Sequence, residues 1–203
     1  MTTTETPLDG RRQRRDRNRE AVVEALLALY REGNLTPSAD EIAERAGISA
    51  RSLFRYFDDV DGLVRTAVAR QQEHLAPLYA LGTSIEEPLE PRIEAFVAGR
   101  VRLLEAMGPV GEVARSVQAR QPVIASELRR IRAALRRQVT GLFADALAAV
   151  PPADRSAVEA SLDVVTSWEA HHLLRQDQGL SRAAASRAMA TSVRRLLAAG
   201  EQA

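Results

Sequence analysis

Apolar side chains along this sequence recur at intervals of three and four, the period of an amphipathic helix. From Ile124 the series continues through Leu128, Ile131, Leu135, Val139 and Leu142 to Ala146 without a lapse. No stretch combines strict alternation with β-branched enrichment, so strands are not expected. The pattern predicts an all-α protein of about nine helices.

The first predicted helix opens at Asn18 as a possible N-cap. It carries Val22, Leu26, Leu29 and Tyr30 on one face and stops at Gly33. Ser38 and Glu41 form a capping-box pattern ahead of Ile42 and Ala43. Gly47 ends that helix after about two turns. Ser49 then caps a third helix, with Leu53 and Phe57 four positions apart, and Asp58 or Asp59 caps a fourth. Two short helices joined through Ala46-Gly47-Ile48 make a helix-turn-helix pattern.

Glycine, threonine, serine and proline between Leu81 and Pro91 mark a boundary, beyond which the predicted helices lengthen. One runs through Ile93 to Leu104 and breaks at Gly108-Pro109, a shorter segment follows, and Pro122 opens the next. Pro151-Pro152 precede a helix expected from Asp154 to about Gln176, and Ser181 caps the last. The expected domains are a flexible basic tail over 1–17, a helix-turn-helix domain over 18–66 with a linking fourth helix over 59–80, and a helical domain over 84–203.

The 203 residues carry a formal net charge of +1, but its distribution is uneven. All the cationic residues are arginine, and between Arg11 and Arg19 six of them face one aspartate, a polyanion-attracting run in which Arg14 and Arg15 are candidate DNA contacts. There are no cysteines, which excludes disulfides and thiolate metal sites. The apolar runs are too short to span a bilayer, and a cytoplasmic location is expected.

Three of the eight aromatic residues, Phe54, Tyr56 and Phe57, fall within four positions. A domain of about fifty residues closes its core with few side chains, so Leu53 and Phe57 are expected inside. Ala50, Arg51, Ser52, Phe54, Arg55 and Tyr56 are then left to approach a major groove, which admits one α-helix. Arg51 is the candidate for guanine readout or a phosphate contact, while Ser38, Ser49 and Tyr56 are candidate phosphate donors.

Residues 18–68 resemble the DNA-binding domain of TetR-family transcriptional regulators. The resemblance rests on Ser38 with Ile42-Ala43, on Ala46-Gly47-Ile48-Ser49, on Leu53-Phe54-Arg55-Tyr56-Phe57 and on Asp59 to Leu63. Val60 and Phe54 stand where the family often has lysine and tyrosine. The resemblance implies a regulator that reads operator DNA as a homodimer through an interface between the last two helices, most often a repressor.

Val158, Leu162, Val165, Met189, Val193 and Leu196 are the candidate dimer seam. Phe96, Met107, Phe143, Trp168 and His171, with His172 and Gln118 as polar groups, are candidate walls of a pocket for a small, largely apolar effector. Glu169 and His172 have Glu-x-x-His spacing, but the second copy a di-metal bundle needs is missing, and no metal or cofactor is expected. No nucleophile set or phosphate loop suggests an enzyme. A helical interaction protein with a vestigial helix-turn-helix is the alternative.

Overall fold

The computed structural model describes residues 7–198, with side chains from residue 12 onward. Ten α-helices and no strand occur among the described residues. The first four are α1 (Pro7–Arg31), α2 (Ala39–Arg45), α3 (Ala50–Tyr56) and α4 (Val60–Leu75). A turn of 3₁₀ helix, Ala76–Tyr79, precedes α5 (Leu89–Val117), α6 (Pro122–Leu142) and α7 (Ala144–Ala149). The chain ends in α8 (Pro152–Val165), α9 (Trp168–His172) running into a π-helical turn at Leu173–Asp177, and α10 (Arg182–Ala198).

The chain divides into two compact units. The first comprises residues up to His74 together with Gly108–Leu128, and the second comprises Leu75–Met107 with Arg129 onward. This departs from the expected boundary at 84, because a segment from the middle of the chain returns to the amino-terminal unit. That unit's core holds Val22, Leu26 and Tyr30 of α1, Ile42, Leu53, Phe57 and Leu63, and also Val113, Val117, Ile124 and Leu128. The second core is built on Ile93, Phe96, Val101, Leu104, Leu135, Val139, Phe143, Leu162, Met189 and Val193. The apolar stripe of α6 therefore serves two cores, its first two turns one and its remainder the other.

Two helix boundaries differ from expectation. α1 begins at Pro7 instead of Asn18, so the arginine run from Arg11 to Arg19 is helical where a tail was expected; the first six residues of that tail lie outside the described residues. The helix expected to run from Asp154 to Gln176 breaks after Val165. The Thr166 hydroxyl, fully buried, donates back to the Leu162 carbonyl at 2.7 Å, and Ser167 restarts the chain as the N-cap of α9, accepting from the Ala170 N–H.

The break expected at Gly108-Pro109 is a kink within α5. Gly108 sits at φ 43°, ψ −142°, which a Cβ would disfavour, and Pro109 lacks the N–H that would continue the ladder.

Candidate nucleic-acid interface

Local capping fixes the ends of the two short helices. Ser38 Oγ accepts from the Glu41 N–H at 3.2 Å, and Glu41 accepts in return from the Ser38 N–H at 2.7 Å. That reciprocal bonding satisfies N-terminal donors and holds the Glu41 carboxyl below its ordinary pKa, chiefly through the Ser38 backbone. α2 ends where Gly47 takes φ +68°, and Ile48 N–H returns to the Ala43 carbonyl at 3.0 Å. Ser49 then caps α3, accepting from the Ser52 N–H at 3.2 Å. Arg45 forms a two-pronged pair with Glu32 at 2.7 and 2.8 Å, tying α2 to the end of α1 and lowering the Glu32 pKa.

α3 has two faces. Leu53 and Phe57 are buried, at 1% and 4% exposure, among the α1, α2 and α4 side chains of the amino-terminal core. Arg51, Phe54 and Arg55 are exposed; Phe54 is 52% accessible, an unusual cost for an aromatic ring in a domain this small. Ala50, Ser52 and Tyr56 are half-buried. Asn18, expected as a helix cap, instead donates through Nδ2 to the Tyr56 hydroxyl at 2.8 Å, a bond that does not use the phenolic proton. Arg19 lies over the Phe57 ring at 5.1 Å. Arg14 and Arg15 are exposed on α1.

In the second unit the expected pocket residues take several roles. Phe96 and Phe143 are fully buried and meet edge to face with centroids 5.4 Å apart. Each is covered by a buried guanidinium. Arg100 stands 5.0 Å over Phe96 and Arg92 stands 5.6 Å over Phe143. Arg92 also makes a bidentate pair with Asp145, at 2.9 and 2.8 Å, while burial pulls the Arg100 pKa down to about 10. The spacing Arg92, Phe96, Arg100 at every fourth position was a legible sign of this shared face.

Trp168 is half-buried and stacked on His172 at 4.5 Å, and Met107 is buried. His171 is buried beside Glu105, whose carboxylate also meets Arg175 at 3.3 Å and Arg182 at 3.1 Å. Glu169 pairs with Arg132. Gln118 belongs to the amino-terminal unit, bonding the Arg115 carbonyl at 3.0 Å, so it is not one of the second unit's side chains.

The expected dimer seam also needs correction. Leu162 and Val193 are fully buried, Met189 is 1% exposed and Val158 is 8% exposed, all inside the core of the second unit, with Val165 and Leu196 packed against it. An amphipathic stripe specifies a buried face without saying which surface covers it. The outward side of α8 is Ala153, Ala157, Ala160 and Val164, the last 64% exposed.

None of the described helices is long and apolar enough to cross a membrane. The fold is similar to that of a transcriptional regulator from Rhodococcus sp. Rha1, with TM-score 0.64 and 16% identity over 90% of this chain and 95% of that one. It is likewise similar to a TetR-family transcriptional regulator from Streptomyces coelicolor, with TM-score 0.62 and 22% identity over 88% of this chain and 80% of that one. No curated protein matches the sequence. Residues 22–67 match the profile of the bacterial regulatory proteins of the tetR family, the segment that holds α2, α3 and the core beneath them. The chain thus carries the amino-terminal domain of the TetR family of bacterial regulatory proteins.

Proposed function

We propose that this protein is a transcriptional repressor that binds a palindromic operator as a homodimer in the cytoplasm and is released by a small, largely apolar effector. The observation that carries this reading is the division of α3, with Leu53 and Phe57 held in the core while Arg51, Phe54 and Arg55 face solvent. An α-helix fits a major groove about 12 Å wide, and an arginine there can bond guanine O6 and N7 together. Ser49 and Tyr56 supply neutral donors to the flanking phosphates, which set register, whereas the Ser38 hydroxyl is donated to the Glu41 carboxylate at 2.7 Å.

One such helix reads only a few base pairs, and two-fold pairing supplies the second half-site. With Leu162 and Val193 committed to the interior, the pairing surface is the outward face of α8, where Ala157, Ala160 and Val164 permit close approach. The effector site is assigned to the neighbourhood of the Trp168–His172 stack, a half-buried pair of nitrogen-bearing rings. The effector acts by preferring a DNA-incompetent arrangement, a coupling of typically about 1–3 kcal/mol.

Fluorescence anisotropy with a duplex from upstream of the protein's own coding sequence, set against a scrambled duplex, tests this reading. Preference for the upstream duplex with a stoichiometry of two chains per site is expected. Equal affinity for both, or a native mass spectrum showing only monomer, argues for a helical interaction protein instead.

A further inference from the structure

α1 extends beyond the region that matches the family profile, and this extension carries the densest charge in the chain. Residues 7–21 precede the match yet continue the same helix. Arg12, Arg14, Arg15 and Arg17 are all exposed. Two contacts set the direction in which the extension leaves the domain: Asn18 bonds the Tyr56 hydroxyl at 2.8 Å and Arg19 covers the Phe57 ring at 5.1 Å, both at the carboxyl end of α3.

Charge on this helix is segregated. Asp16, Glu20 and Glu24 recur at every fourth position and share one face, where Arg70 of α4 meets Glu20 at 3.5 Å and Glu24 at 3.8 Å. At about 100° per residue, Arg15 lies within roughly 60° of both Asn18 and Arg19, on the side turned toward α3. Arg17 lies roughly 100–160° from those two residues, beside the acidic face.

A helix is about 10–12 Å across, whereas a minor groove is about 6 Å wide, so this segment cannot enter that groove as an extended arm would. The phosphate ridge beside the major groove remains within its reach.

We infer that the amino-terminal extension of α1 is a rigid second DNA-contact element, whose Arg15-bearing face grips backbone phosphates next to the groove occupied by α3. This rests on the regulator reading above and adds to it an oriented, sequence-independent clamp. The Asn18–Tyr56 bond makes the two elements one surface. Tyr56 donates to the same phosphate ridge, and Asn18 is a positioning residue for both. A flexible basic tail would differ in one respect: its arginines would be interchangeable.

The test compares Arg15→Ala with Arg17→Ala, two variants with identical loss of charge. Binding of the upstream duplex is measured across a range of salt concentrations, and circular dichroism melts check that both variants remain folded. The slope of log affinity against log salt is expected to fall by about 1.8 for Arg15→Ala, one phosphate contact from each of the two chains on a site, and to stay at the wild-type value for Arg17→Ala. Arg15→Lys, which keeps the charge, is expected to restore the slope. Equal slopes for the two alanine variants, whether lowered together or both unchanged, overturn the oriented clamp while leaving the regulator reading intact. Wild-type protein that does not distinguish the upstream duplex from a scrambled one overturns the regulator reading, and this inference with it.

Discussion

Asn18 and Tyr56, 38 positions apart, are joined by a hydrogen bond of 2.8 Å that fastens the first helix to the end of the third. The bond uses an amide donor and a phenolic acceptor, both part-buried, so its loss leaves polar atoms with poorer partners. Asn18→Ala and Tyr56→Phe are each expected to cost about 1 kcal/mol in urea unfolding. The double variant is expected to cost less than the two single losses added together, a coupling that a double-mutant cycle measures.

The two faces of α3 separate stability from binding. Leu53→Ala opens a cavity in a small core and is expected to destabilise by about 2–5 kcal/mol. Phe54→Ala removes an exposed ring and is expected to stay within about 0.5 kcal/mol of wild type in the same urea titration. In anisotropy measurements, Phe54→Ala is expected to weaken DNA binding while the fold persists.

Arg51 and Arg55 stand one helical turn apart on the exposed side of α3. Arg51→Ala is expected to relax discrimination at one base pair of each half-site by about 1–3 kcal/mol, roughly 5- to 150-fold, in a panel of singly substituted duplexes. Loss of Arg55 is expected to weaken all duplexes alike, as removal of a phosphate contact does.

Acid sensitivity is expected from His171. Burial lowers its pKa from the ordinary 6.5, more strongly than the nearby Glu105 carboxylate raises it. The unfolded chain therefore binds more protons than the folded one once the pH drops below about 6.5, and stability falls from there toward the depressed native value. The lowered carboxylates Glu32, Glu41 and Asp145 titrate below their ordinary 3.8–4.5, outside that window. Urea midpoints between pH 7.5 and 5.5 are expected to decline for the wild type and to decline less for His171→Asn.

Features set by neighbours in sequence are legible in the sequence itself. The Ser38–Glu41 box, the Gly47 turn, the Ser49 and Ser181 caps and the inward Leu53–Phe57 pair all follow from side chains within four positions of each other. Features that depend on what a face packs against were not. Val158 and Leu162 read equally well as core or as dimer seam, because periodicity gives the width of an apolar stripe and not its partner. Asn18 looked like a cap because its hydrogen-bond partner lies in a different helix. α1 starts earlier than its sequence suggests, since a run of arginines suggests solvent exposure while arginine is also a good helix former. The restart at Ser167 was readable, with a capping serine and Glu169 in the first turn, but the apolar series through Val165 and Trp168 concealed it.

The double allegiance of α6 also limits how this protein can be dissected. Cutting the chain near residue 80, where the composition changes, would strip Val113, Val117, Ile124 and Leu128 from the core that supports α3. A severed head would expose those faces and leave α3 without part of its support. Grafting this head onto another sensor therefore requires transplanting residues 108–128 as well, because the module is discontinuous along the gene.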